Sequence, residues 1–184
     1  AELRTLAYLS QDEFLKNVYI NDKDLHDEVA IELYGEDFTK EQRVMAKTIN
    51  FGLAYGRTAY SIAETFDMST EEAQALLDRW FEQKPGAAKY IKETRQEPHN
   101  GVIPRTVFGR KRRFGAIDKK NAWAIENEAI NFPIQSTASD LTLLSAVRLQ
   151  PLLKGRAMIV NLVHDSIVLD VPKENVAEIA KLTK

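Results

Sequence analysis

The sequence predicts an α+β fold in which helices pack against one antiparallel hairpin, and three observations carry it. Thr39-Lys40-Glu41-Gln42 and Ser69-Thr70-Glu71-Glu72 are capping boxes, whose Ser or Thr and Gln or Glu satisfy the orphan amides of a helix start. The first two thirds follow helical spacing, as Leu25, Val29, Ala30 and Leu33 illustrate. Near the end, two β-branched runs, 157–163 and 166–171, are separated only by His164-Asp165.

Taken in order, Ser10 is expected to cap a short helix bearing Phe14, Leu15 and Val18. Gly35 ends the helix built on Leu25 to Leu33. The first capping box opens a helix from about Lys40 to Tyr55, ending near Gly56. The second opens a helix through Leu76, Leu77 and Trp80 that Pro85-Gly86 breaks. Asn100-Gly101 marks a turn, with short strands at Val102-Ile103 and Thr106-Val107-Phe108 flanking Pro104. Helices follow from about Lys120 to Asn131 and from Gln135 towards Leu149, where Pro151 stops the second. The last helix begins around Pro172. Trp80, Trp123 and most Phe residues are expected in the core. No internal repeat or linker stands out.

The chain has 184 residues, 44% of them hydrophobic and 28% charged, enough to bury a core and too apolar for a disordered tail. It contains no cysteine, which excludes disulfides, a thiol nucleophile and Cys-ligated metals. No apolar run approaches the roughly 20 residues that span a bilayer, and no secretory signal opens the chain. The expectation is a soluble, intracellular protein. Ala1-Glu2-Leu3-Arg4 looks like the inside of an element, so a piece of something longer is expected. The net charge is −2, yet Arg105, Arg110, Lys111, Arg112 and Arg113 crowd one short stretch without an acid.

Two features break local rules where chemistry is expected. Two-residue hairpin loops favour Asn-Gly, Asp-Gly or Gly-X, yet here they are His-Asp, between strands apolar enough to be largely buried. A carboxylate on a rigid hairpin tip can hold a divalent cation against a phosphate. The alternative is a longer turn whose His and Asp bond the backbone. The second feature is Arg43, Lys47, Phe51 and Tyr55, which recur every four residues along one slowly turning stripe, leaving Val44, Ile49 and Leu53 to pack inward. Two cations followed by two aromatics can neutralise a triphosphate and lie against a sugar or base. The alternative is a solvated basic face with its aromatics in the core. The Arg110–Arg113 cluster is either a solvated edge or a track for a phosphate backbone. Gln135, Ser136, Thr137 and Ser139 are helix caps, or a Gln that reaches minor-groove acceptors.

Together these residues resemble the family A DNA polymerases, the bacterial polymerase I type. Arg43-x3-Lys47-x3-Phe51-Gly52-x2-Tyr55-Gly56 resembles motif B, Val163-His164-Asp165-Ser166 resembles motif C, and Ala1-Glu2-Leu3-Arg4 with Leu6-Ala7-x-Leu9-Ser10 resembles the second half of motif A. Thr106-x2-Gly109-Arg110-Lys111-Arg112 and Asn131-x-Pro133-x-Gln135-Ser136-Thr137-Ala138-x-Asp140-Leu141 also match, in family order over the whole chain. Ser166 stands where many members have Glu, and Asn127 where many have Arg.

The resemblance implies a right-hand polymerase segment: the start of palm and fingers over 1–34, fingers over 35–100, and the remaining fingers and the palm hairpin over 101–184. It implies template-directed transfer of dNMP from dNTP to a primer 3′-hydroxyl by two Mg²⁺ ions, with Asp165 as one metal ligand and catalytic residue. The second aspartate, in the family's stretch directly before the residue matching Ala1, lies outside this chain, so activity of the segment alone is not expected. Arg43, Lys47 and His26 would bind the triphosphate, Lys47 also protonating the leaving pyrophosphate. Phe51 would stack on the deoxyribose and set discrimination against dideoxynucleotides. Tyr55 would lie beside the templating base, and Glu2 would crowd the sugar 2′ position. Gln135, Asn131, His164, Arg110 and Arg112 would contact primer–template DNA. The implied setting is the cytoplasm of a bacterial or phage-infected cell, with the N-terminal polymerase portion as a partner in the same or another chain. Rival readings are a phage-type single-subunit RNA polymerase, with a similar Arg-x3-Lys helix, and a non-catalytic DNA- or nucleotide-binding remnant.

Overall fold

The computed structural model describes residues 1–54 and 56–183. Tyr55 therefore lies outside the described residues.

Helix α1 (Glu2–Ser10) is followed by α2 (Glu13–Ile20), and the cap of α2 is Asp12, not Ser10. Ser10 instead closes α1, its hydroxyl accepting the Asp12 N–H at 3.3 Å. Asp12 is only 1% exposed and works at two helix starts. One carboxylate oxygen accepts the Leu15 N–H at 3.1 Å, while the other accepts those of Gly86 at 2.9 Å and Ala87 at 3.2 Å. The latter two open α7 (Pro85–Gln96), a helix the Pro85-Gly86 breaker signal concealed because proline is at home in a first turn. Gly86 is required there, since a Cβ would sit 2.8 Å from the Asp12 Cα. Asp12→Ala leaves buried amides unpaired at two helices, so we expect a loss of about 2–3 kcal/mol in urea unfolding.

Helix α3 (Leu25–Tyr34) ends at Gly35 with φ +92°, and α4 (Lys40–Ala54) opens on the Thr39–Gln42 capping box as expected. A short α5 (Ala59–Phe66), capped by Thr58, had no strong sequence signal. Helix α6 (Thr70–Gln83) opens on the Ser69–Glu72 box. Leu6, Leu15, Val29, Ile49, Ile62 and Trp80 fill the core between these helices. Lys84 is wholly buried: its ammonium pairs with Glu32 at 2.5 Å and lies 4.3 Å from the Phe14 ring centroid and 5.0 Å from that of Trp80. Burial pushes the Lys84 pKa down and the Glu32 pKa up.

The largest departure is α8 (Ala122–Leu153), one continuous helix through Pro133 where two were expected. Pro133 has no N–H for the Ala129 carbonyl, a cost of about 3 kcal/mol. Burial of Ile125, Ala129, Ile130, Ile134 and Ala138 offsets it, each Ile contributing roughly 1.5–3 kcal/mol. The expected strands at 102–108 do not form. That segment is a loop pinched by a single bridge between Arg105 and Lys111, with Gly109 N–H donating to the Thr106 carbonyl at 2.9 Å.

The hairpin forms, β1 (Met158–Val163) antiparallel to β2 (Ser166–Asp170) with Val163 opposite Ser166. Its expected burial does not follow. Val160, Leu162 and Val168 are exposed, as are Leu141, Leu144 and Val147 on the C-terminal half of α8. Among the described residues this apolar layer has no cover. A single 3₁₀ turn, Lys173–Asn175, precedes α9 (Val176–Leu182), which therefore starts later than Pro172.

Two core expectations fail. Trp123 is 64% exposed, because Ile125 takes the inward position on that turn of α8. Val44 is 54% exposed, because Ala46, Ile49, Asn50 and Leu53 define the buried face of α4 and Val44 lies opposite.

Candidate active site

A cavity of about 820 Å³ opens between α1, α3, α4, α8 and the hairpin turn. Its wall brings together Glu2 of α1, His26 of α3, Phe51 of α4, Gln135 of α8, Arg110 of the cationic loop, and His164-Asp165 at the hairpin tip. These were singled out from segments far apart in sequence.

The tip is held open by backbone geometry. His164 takes φ +54°, the left-handed conformation that a two-residue turn demands and a non-glycine residue adopts reluctantly. Asp165 is exposed and accepts the Ala1 ammonium at 3.0 Å, which holds its carboxyl below the usual range. The start of α1 and the tip of the hairpin therefore meet at one point.

Asp24 caps α3 by accepting the N–H groups of His26 at 2.7 Å and Asp27 at 3.1 Å. Although partial desolvation opposes it, those amides and Arg43 hold the Asp24 carboxyl low. Arg43 is engaged by both acids, through Asp24 at 3.1 Å and through Asp27. It lies on the α4 face two turns before Phe51 and does not line the cavity. Lys47, one turn before Phe51, is exposed and pairs with no acid among the described residues. The His26 and Phe51 rings lie 5.6 Å apart, centroid to centroid.

The cationic loop is tied down from α8. Asp140, buried, accepts the Thr106 hydroxyl at 3.0 Å and the Arg110 guanidinium, while the Val107 N–H donates to the Thr137 hydroxyl at 3.3 Å. Arg112 pairs with Glu128 at 2.8 Å, outside the cavity lining. Asn131 is also outside it, with its Oδ1 buried and unpartnered among the described residues. Gly56 takes φ +74° against α8, where a Cβ would lie 2.2 Å from Asn127 Oδ1.

The DNA polymerase family A model matches residues 1–184. The chain belongs to DNA polymerase family A. It is 38% identical to the thermostable DNA polymerase I of Thermus aquaticus, covering 100% of this chain and 23% of that protein. It is 35% identical to DNA polymerase I of Pseudomonas aeruginosa, covering 98% of this chain and 21% of that one. A solved structure, the POL domain of Pol1 from M. smegmatis in complex with DNA primer-template and dNTP, superposes with a TM-score of 0.92 at 29% identity, over 99% of this chain and 34% of that chain. The chain thus spans under a quarter of the length of the curated relatives it matches.

Several residues of this polymerase segment were not picked out from sequence. Asp140 appeared only within a motif, without a role, and its partner Thr106 is 34 residues away. Asp24 carried a usable N-cap signal directly before Leu25. Arg4 stacks 4.8 Å over the Tyr19 ring in the cavity wall, and burial pushes the Tyr19 pKa up to about 12; neither has a sequence signature. Among the described residues no three His, Asp or Glu gather to enclose a metal. Asp165 offers one exposed carboxylate, a fitting oxygen ligand for a hard dication, but not a complete site.

Proposed function

We propose that this chain builds the dNTP site and one side of the catalytic centre of a template-directed DNA polymerase, and that a larger assembly completes it. One observation carries the reading. A nucleotide-sized cavity has an aromatic and imidazole wall on α3 and α4, and a carboxylate facing it from the hairpin. The family membership supports it, as does similarity to a Pol1 structure containing DNA primer-template and dNTP.

In this reading residues 35–100 are fingers, residues 101–184 carry the palm hairpin, and residues 1–34 join them. Phe51 packs on the deoxyribose, and Tyr55 lies beside the templating base. Arg43 and Lys47 face the triphosphate, which requires Arg43 to exchange Asp24 and Asp27 for phosphate oxygens. Lys47 holds a proton on Nζ for the departing pyrophosphate. Gln135, Asn131, Arg110, Arg112 and His164 line the path of primer–template DNA. The primer 3′-oxygen forms a bond to the α-phosphorus as the bond to pyrophosphate breaks.

Asp165 would hold magnesium together with a second carboxylate supplied from outside these residues. The Ala1 nitrogen is 3.0 Å from Asp165, so a residue joined to it stands within side-chain reach of that carboxylate. Two bound magnesium ions supply stabilisation of the attacking and leaving oxygens. The open apolar layer of hairpin and α8 supports a complement from the same larger polymerase, since isolated two-stranded hairpins are marginal.

Glu2 tests the choice of DNA over RNA. In the complete polymerase, Glu2→Ala is expected to raise ribonucleotide incorporation roughly ten- to a hundredfold relative to deoxynucleotides, the scale of a steric pocket change. Unchanged sugar selectivity in a single-nucleotide competition assay would remove Glu2 from that role.

A further inference from the structure

We propose that Asn50 and Trp80 are positioning residues that lock His26 in its neutral Nε2–H tautomer, so that the ring offers the cavity a hydrogen-bond donor and not a charge. The argument starts from Trp80, whose indole N–H can only donate. It donates to Asn50 Oδ1 at 2.7 Å in the core. Asn50 is 0% exposed, so no water can rescue a reversed amide, and reversal would set NH₂ against N–H. Asn50 Nδ2 therefore faces His26 Nδ1, at 3.1 Å.

Nδ1 must then accept. The single proton of the neutral ring sits on Nε2, the nitrogen that Asn50 does not engage, on a ring that lines the cavity. An imidazolium would bring an Nδ1–H against the amide hydrogens, two donors facing each other. The ring itself is held in place: its backbone N–H donates to Asp24 Oδ1 at 2.7 Å, and Phe51 flanks it.

The surrounding charges act in the same direction on balance. Burial disfavours the cation, Asp24 favours it, Arg43 and Lys47 of α4 disfavour it, and Asp27 favours it; the pKa falls below its ordinary value. Glu2 and Arg4 of α1, Tyr19 of α2, Arg110 of the cationic loop, and His164 and Asp165 of the hairpin tip line the same cavity, while Trp80 of α6, which cannot titrate, backs Asn50. What the Nε2–H meets rests on the nucleotide reading above, in which it is a phosphate oxygen. The tautomer does not.

The test is a long-range proton–nitrogen correlation spectrum of the full chain labelled with ¹⁵N-histidine, with His26→Gln identifying the resonance. The expected pattern is protonated Nε2 and bare Nδ1, persisting below the ordinary histidine range near pH 6.5. Asn50→Asp is isosteric and can accept but not donate. It should move the proton to Nδ1 and raise the midpoint by roughly one pH unit or more. A wild-type ring protonated on Nδ1 overturns the proposal even if the variant does not fold, and so does a folded Asn50→Asp protein with an unchanged pattern. Adding dNTP with primer–template to the complete polymerase should shift the Nε2 resonance. A tautomer as expected with no such shift would leave the Asn50–Trp80 lock standing and remove the phosphate contact alone.

Discussion

Asp165→Asn in the complete polymerase is expected to cut primer extension by on the order of a thousandfold or more, with no change of fold. The side chain is exposed at a hairpin tip, and its ion-pair partner among the described residues is the Ala1 ammonium, so the unfolding free energy should stay within about 0.5 kcal/mol. The amide keeps the size of the carboxylate and loses its charge. Among the described residues it belongs to no cluster of three His, Asp or Glu that could hold the cation without it. Near wild-type extension by the Asn variant, measured as single-turnover incorporation, would mean that the hairpin tip only shapes the turn.

Lys47→Ala should lower kcat/KM for dNTP by about a hundred- to a thousandfold, the usual scale for removing one preorganised charge from a reacting phosphate. Lys47, like Arg43, lies outside the cavity lining. It is exposed, however, and its ammonium has no ion pair to give up among the described residues, whereas Arg43 must first leave Asp24 and Asp27. Those are partly exposed pairs, each worth roughly 0.2–1 kcal/mol, so a triphosphate can compete for the guanidinium. If equilibrium dNTP binding is equal for wild type and an Arg43→Ala, Lys47→Ala double variant, the α4 stripe does not grip phosphates.

The parts of this fold legible in sequence are those decided within a few residues. The Thr39 and Ser69 capping boxes, the Gly35 stop and the two β-branched runs each carry their own local chemistry. What was missed depends on partners far away in the chain. Helix α7 is capped by Asp12 more than seventy residues earlier, so Pro85-Gly86 looked like an end and not a beginning. The expected break between Asn131 and Gln135 and the expected stop at Pro151 both fail, because the packing that carries α8 through Pro133 and past Pro151 involves other elements. The hairpin's apolar strands implied a cover that these residues do not provide.

The site divides the same way. Glu2, Phe51, Gln135 and Asp165 were legible because each breaks or completes a short pattern, and the cavity brings them together. Asn131 and Arg112, read from the same motifs, lie outside the lining, since a motif does not say which way a helical side chain turns. The contacts that orient the site, Trp80 to Asn50 to His26 and Asp140 to Arg110, join residues twenty-four to thirty positions apart.

The most direct measurement is single-nucleotide addition to a labelled primer by the complete polymerase with Mg²⁺, repeated with each templating base and with dNTP and rNTP substrates. The account predicts that each template base directs addition of its complementary dNMP, with rNMP strongly disfavoured. Addition that ignores the template, preference for ribonucleotides, or binding of DNA and dNTP without any addition would contradict it.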